Sequence, residues 1–95
     1  METKNINDYL NQFFQEITLY GLNDNNSHNI EVFLTSLIDT NENNIFNNIL
    51  LYNFINLLNN QDSSTFLINH LIKEVELKGL RLTYKNIINN NANNN

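Results

Sequence analysis

Apolar residues recur along the chain at steps of three and four, the spacing that gathers side chains on one face of an α-helix. The first such segment predicts a helix from about Ile6 to Tyr20. Asn5 can cap its first turn, because an asparagine oxygen accepts hydrogen bonds from the free backbone N–H groups there. Gly21 is expected to end this helix, since glycine adopts the left-handed backbone conformation without a steric penalty.

The next apolar stripe predicts a second helix from about His28 to Asp39. The preceding segment, Asn23–Ser27, consists of residues common in turns and is expected to be a loop. Ser27 is then the predicted cap of the second helix.

A third helix is predicted from about Glu42 to Asn59, capped by Thr40 or Asn41. Its segment Ile45–Leu58 is apolar around most of the helical circumference, which is typical of a helix buried on more than one side. We therefore expect it to be the central element. The aromatic and β-branched content also allows strands, but the length and the absence of glycine and proline favour a helix.

A fourth helix is predicted from about Thr65 to Lys78, capped by Ser63 or Ser64 and ended by Gly79. The stretch after Gly79 leaves two alternatives open. It can form a short fifth helix capped by Thr83, with Tyr84, Ile87 and Ile88 facing inward, or a short strand, for which the pattern offers no partner. The choice between helix and strand concerns residues 80–88.

The pattern as a whole predicts an all-α fold, a small antiparallel bundle of four to five helices. A length of 95 residues suits one domain. Leu, Ile, Val and Phe make up 33 of them, well above the level of disordered chains. The division expected is a single helical domain over residues 1–88 and a disordered Asn-rich tail over residues 89–95, because a polar low-complexity segment buries nothing.

Asparagine accounts for 24 residues, and charged residues for only 16%. Between Asn5 and Ile72 there are seven acids and neither Lys nor Arg, whereas four bases and two acids follow from Lys73 onward. An acidic body repels nucleic acid and anionic lipid, so neither is an expected partner. The few C-terminal bases are too sparse for a phosphate-binding surface and are expected to complement a helix dipole.

The absence of cysteine excludes disulfides and thiolate metal sites. The first residues do not resemble a secretory signal, and the most apolar window, of 14 residues, is shorter than the roughly 20 that a spanning helix needs. These features predict a cytoplasmic protein, with the nucleus not excluded.

No motif in the chain points to catalysis, to a cofactor or to a metal. His70 and Glu74 are one helical turn apart, but His28 is the only other histidine and a metal site needs three or four ligands. The acids are spread singly along the chain, which is typical of a solvated surface rather than of acid–base chemistry. Two glycines cannot build a glycine-rich phosphate loop. The protein is therefore not expected to be an enzyme.

Surplus apolar positions give the one functional signal. Several apolar residues lie off the predicted stripes, and so small a domain is not expected to bury them all. The sequence thus predicts a non-catalytic protein–protein interaction module, an adaptor or a small subunit of a larger complex. The alternative is a self-associating, homodimeric structural protein that uses the same apolar face. The candidate interface residues are Leu51, Ile55, Phe66 and Leu77.

Overall fold

The computed structural model describes residues 5–40, 42–62 and 65–93, which form four α-helices and one short 3-10 helix. These residues contain no strand, and the predicted all-α class is confirmed. Predictions for Asn41, Ser63, Ser64 and residues 1–4, 94 and 95 lie outside the described residues. The elements are α1 (Ile6–Tyr20), α2 (Asp24–Asp39), the 3-10 helix (Asn43–Asn47), α3 (Ile49–Asn59) and α4 (Phe66–Asn93).

Helix α1 begins and ends where the sequence pattern predicts. The Asn5 side chain accepts a hydrogen bond from the Asp8 N–H at 3.0 Å, and the Asp8 carboxylate accepts one from the Asn5 N–H at 3.3 Å. This reciprocal pair satisfies two backbone donors at the start of the helix. At the other end Gly21 has a φ of 72°, and Leu22 turns back into the core.

Helix α2 begins one turn earlier than predicted, because an asparagine cluster caps it. The Asn23 side chain accepts from the Asn25 and Asn26 N–H groups at 2.9 and 3.1 Å. The Asn26 side chain accepts from the Asn23 N–H at 2.9 Å and donates to the Gly21 carbonyl at 2.9 Å. Ser27, the predicted cap, is therefore buried inside the first turn. The predicted loop at Asn23–Ser27 was wrong, since a residue that caps a helix well also resembles a turn-former.

The predicted third helix is divided into two elements at Asn48. The Asn48 side chain accepts from the Leu50 N–H at 2.9 Å and donates across to the Asn7 side chain of α1 at 2.6 Å. The Tyr52 hydroxyl donates to the Phe46 carbonyl at 2.7 Å and so holds the 3-10 helix against α3. A continuous helix from Glu42 was therefore the wrong prediction, because these tertiary contacts support a new helix start.

Helix α4 has 28 residues and is much longer than predicted. The Thr65 hydroxyl caps its start by accepting from the Ile68 N–H at 3.1 Å. Residues 80–88, for which a fifth helix or a strand was open, continue the same helix. Thr83 is no cap, since its hydroxyl donates to the carbonyl one turn earlier at 2.9 Å. The backbone of residues 89–93, where a disordered tail was predicted, is also assigned to α4.

Gly79 lies within α4 and does not end it. It is buried, and a Cβ atom placed on it would lie 3.4 Å from Cδ1 of Phe46 in the 3-10 helix. A Cβ atom at this position would be in ordinary contact with the Phe46 ring, and the packing of α4 on the 3-10 helix supports a continuous helix here. Sequence alone could not distinguish a glycine inside a helix from one that ends it, because glycine is common at helix ends and is also tolerated within a packed helix.

The core is one cluster to which all four helices contribute. Helix α2 packs on α4, α1 packs on α3, and the 3-10 helix packs on α4. Helix α3 buries one face only, and Ile49 and Tyr52 on the other side are 77% and 47% exposed. The expectation that this helix would be buried on several sides was therefore wrong. Its buried residues are Leu51, Phe54, Ile55 and Leu58.

Replacing each of the two glycines with alanine should change the stability of the fold in opposite directions. Gly21→Ala forces a side chain into a positive φ and should destabilise the fold by about 1 kcal/mol. Gly79→Ala sits in a helix and adds a Cβ at ordinary contact distance, so it should stabilise the fold by up to about 1 kcal/mol. Urea unfolding of the two variants measures both changes. Destabilisation by Gly79→Ala would show that the Phe46 ring cannot accommodate the added methyl group.

Candidate functional site

The structure separates the four predicted interface residues into two pairs. Leu51 and Ile55 are only 1% and 3% exposed and belong to the core, so they cannot contribute to a free surface. They share one helix face with Phe54 and Leu58, a grouping that the crowded apolar pattern of α3 obscured. Phe66 and Leu77 are 89% and 43% exposed on α4. Their role at an interface stays a prediction.

Leu77 belongs to an apolar row that continues along the C-terminal half of α4. Leu80, Tyr84 and Ile87 follow it at steps of three, four and three residues, so the four side chains lie on one face. Leu80 and Tyr84 are 67% exposed, and Ile87 is 53% exposed. We call these four residues the outer stripe. The expectation that Tyr84, Ile87 and Ile88 face inward was wrong, since all three are exposed.

The outer stripe lies opposite the face through which α4 joins the core. At about 100° per residue, the buried positions fall on one side of the helix and the outer stripe on the other. Helix α4 is thus apolar on two opposite faces, although only one of them packs against the other described residues. The core-facing residues are Ile68, Leu71, Ile72, Val75, Gly79 and the half-buried Leu82.

The sequence carried the signal for the outer stripe, because the spacing of its four residues is visible without a structure. The predicted helix end at Gly79 obscured it. That interpretation placed Leu77 and Leu80 in different elements and gave the later residues a separate inward face.

Charged residues border the outer stripe on both sides. Glu76 lies along one edge, and Arg81 and Lys85 lie along the other. All three side chains are exposed, while Glu74 on the second edge is half-buried. The stripe therefore has an apolar centre and a rim with both signs of charge.

Lys78, which precedes Gly79, does not border the stripe but stabilises the contact between α4 and α2. Its ammonium group donates hydrogen bonds to the carbonyls of Ile38 and Thr40, at the C-terminal end of α2. It also lies 5.9 Å from the centroid of the Phe46 ring. A cation at the negative end of a helix is stabilising, so one of the C-terminal bases complements a helix dipole as the sequence predicted, although the helix concerned is α2.

A concave surface, separate from the outer stripe, lies between α1, α2 and the segment that follows α2. It is an open groove of about 670 Å³ with an aromatic floor. The ring of Phe33 lies 5.9 Å from that of Tyr9 and 5.3 Å from that of Phe13, measured between centroids. Among the described residues that line it, Glu42 is the one carboxylate. An open groove of this kind fits apolar side chains of a partner better than acid–base chemistry, which needs converging titratable groups.

The described residues contain no group of three or more side chains able to hold a metal ion. His28 and His70 are exposed and belong to different helices. Over the same part of the chain, none of the helices combines the length and the hydropathy required to cross a membrane.

No protein-family model, curated protein or solved structure matches this chain.

Proposed function

We propose that the protein is a non-catalytic helical module that binds another protein through the outer stripe of α4. The observation that supports this function best is the stripe itself, four regularly spaced apolar side chains that are 43–67% exposed. Burying a large aliphatic or aromatic side chain stabilises a complex by about 1.5–3 kcal/mol. Four such residues on one rigid helix are therefore a strong potential binding surface.

The surroundings of the stripe resemble the anatomy of protein–protein interfaces, which combine an apolar centre with a polar rim. Helix α4 is held to the core along its opposite face, so the stripe is presented on a preorganised element. Preorganisation lowers the entropic cost of binding, because the helix does not have to order when the partner arrives. Phe66 lies on the same face three turns before Leu77, and the exposed Lys73 separates it from the stripe.

The charge pattern supports a protein partner rather than a nucleic acid. The body of the chain is acidic from Asn5 to Ile72, and such a surface repels phosphate backbones. Together with the absence of cysteine, this favours a module that works in the cytoplasm, with the nucleus as the other candidate compartment.

The double variant Leu80→Ser/Tyr84→Ser tests the binding surface. When the tagged chain is used to capture proteins from its native cell, the double variant should recover at least about tenfold less bound protein than the parent. A loss of 1.4 kcal/mol in binding free energy already corresponds to that factor. Circular dichroism should show the same helical content and nearly the same melting temperature as the parent protein, because both residues are exposed.

Two matched variants serve as controls for this experiment. Leu19→Ser removes an exposed leucine from α1, and Val32→Ser removes an exposed valine from the groove between α1 and α2. Both should retain the bound proteins. If the stripe variant keeps every partner while Val32→Ser loses them, the binding surface is the groove and the proposal is wrong.

A further inference from the structure

We propose that the outer stripe binds the same stripe of a second copy of this chain, in a parallel and in-register pair of α4 helices. This inference rests on the proposed function, because it names the partner of the same surface. It is supported by the spacing of the stripe and by the charges on its two edges.

The spacing is that of a two-stranded coiled coil. In a heptad the apolar positions a and d alternate at steps of three and four residues, and they form the seam between two helices. Leu77 and Tyr84 fall at a, and Leu80 and Ile87 fall at d. A parallel pair places each residue against the same residue of the second copy. The seam then consists of four layers, each a pair of facing side chains, and all four are apolar.

The charges at the edges complement each other in the same register. In a parallel pair the side chain at position g faces position e of the other helix, five residues further along. Glu76 occupies g and Arg81 occupies the e position five residues later. Because the pair is symmetric, the contact between Glu76 and the second copy's arginine forms twice.

An antiparallel pair fits the same residues less well. It can also match the four apolar layers, with Leu77 against Ile87 and Leu80 against Tyr84. That register brings the e positions of the two helices together, so Arg81 would face its own copy. Like charges at this distance repel each other, and the parallel arrangement is therefore the one that the charges favour.

The rest of the molecule does not obstruct a parallel pair of α4 helices. The core of each copy lies on the opposite face of α4, away from the seam. The preceding d position holds Lys73, which is exposed, so the two helices should diverge there because of like-charge repulsion. The contact then comprises only four layers. Because so short a seam buries little surface, the dimer should be reversible.

Sedimentation equilibrium of the whole chain tests the proposal over a loading range of about 10 μM to 1 mM, which covers weak reversible association. The parent protein should show a monomer–dimer equilibrium. Glu76→Arg and Arg81→Glu should each weaken dimerisation at least about tenfold, because each creates like-charge contacts at both edges. An equimolar mixture of the two variants should recover the association as a heterodimer, since opposite charges again face each other.

Cysteine variants determine the orientation, and the natural chain has no cysteine to interfere. Leu77→Cys and Ile87→Cys should each form a disulfide with its own copy under mild oxidation, because a disulfide needs Cα atoms within about 7 Å. In an antiparallel pair each variant alone should stay uncrosslinked, and only their mixture should react. That result would overturn the parallel arrangement.

The outcomes separate this inference from the proposed function. A parent protein that remains monomeric at about 1 mM overturns the dimer, and so does dimerisation that neither charge variant changes. The proposed function survives a monomeric result if Leu80→Ser/Tyr84→Ser still loses its captured partners. If that double variant dimerises and retains its partners as the parent does, both proposals are wrong.

Discussion

Replacing Phe54 with alanine should lower the free energy of unfolding by about 3–5 kcal/mol, the usual cost of removing a large buried aromatic side chain. The ring is fully buried, and its centroid lies 6.0 Å from Phe13, 6.3 Å from Phe14 and 6.4 Å from Phe33. Truncation therefore removes one aromatic partner from each of three neighbours. It also leaves a cavity between α1, α2 and α3 that rigid helices cannot fill completely.

Urea unfolding followed by circular dichroism measures this effect. A small domain is stable by only about 5–15 kcal/mol, so the variant should be partly unfolded at room temperature or close to it. Phe66→Ala is the matched control, since Phe66 is the same residue type but is 89% exposed. Its effect should remain within about 0.5 kcal/mol. Similar losses in the two variants would mean that Phe54 is not at the centre of the core.

Lys78→Met should destabilise the fold by about 2–3 kcal/mol, the second largest effect that we expect. Hydrogen bonds made by a charged group contribute about 1.5–3 kcal/mol. The Lys78 ammonium group makes two such bonds, to Ile38 and Thr40. Methionine retains an apolar stem of similar length, so the change removes the charge and its hydrogen bonds while keeping most of the packing.

Thermal unfolding in low salt measures the loss, and a change of this size should lower the melting temperature by roughly 8–24 °C for a domain of this length. Lys85→Met is the control, because Lys85 is exposed on the same helix. Its melting temperature should stay within about 3 °C of the parent value. Equal shifts for the two lysines would show that the end of α2 does not depend on Lys78.

These two experiments concern residues whose importance was not equally visible in the sequence. Phe54 lies in the most apolar segment of the chain, where the sequence predicted a buried helix without showing which of its faces is buried. Lys78 appears in the sequence as one of several bases near a helix end. Its partners are about 40 positions earlier in the chain, and only the packing of α2 on α4 brings them within reach.

The same difference applies to the exposure of the four candidate interface residues. Phe66 and Leu77 are exposed, as expected of residues off the core face, but Leu51 and Ile55 are buried. In α3 the apolar residues surround the helix, so periodicity cannot show which of them face the core. That choice depends on where α1 lies.

Periodicity determined the helical class of this protein, the bounds of α1 and the turn at Gly21. These features depend on neighbouring residues, because a helical stripe, its cap and its terminating glycine all act within one or two turns of the chain. The tertiary structure decided the division at Asn48, where a contact with Asn7 of α1 supports a new helix start. It also decided the continuation of α4 through Gly79, where the helix packs on Phe46 of the 3-10 helix. Both decisions depend on residues more than thirty positions apart, and local propensity carries no information at that distance.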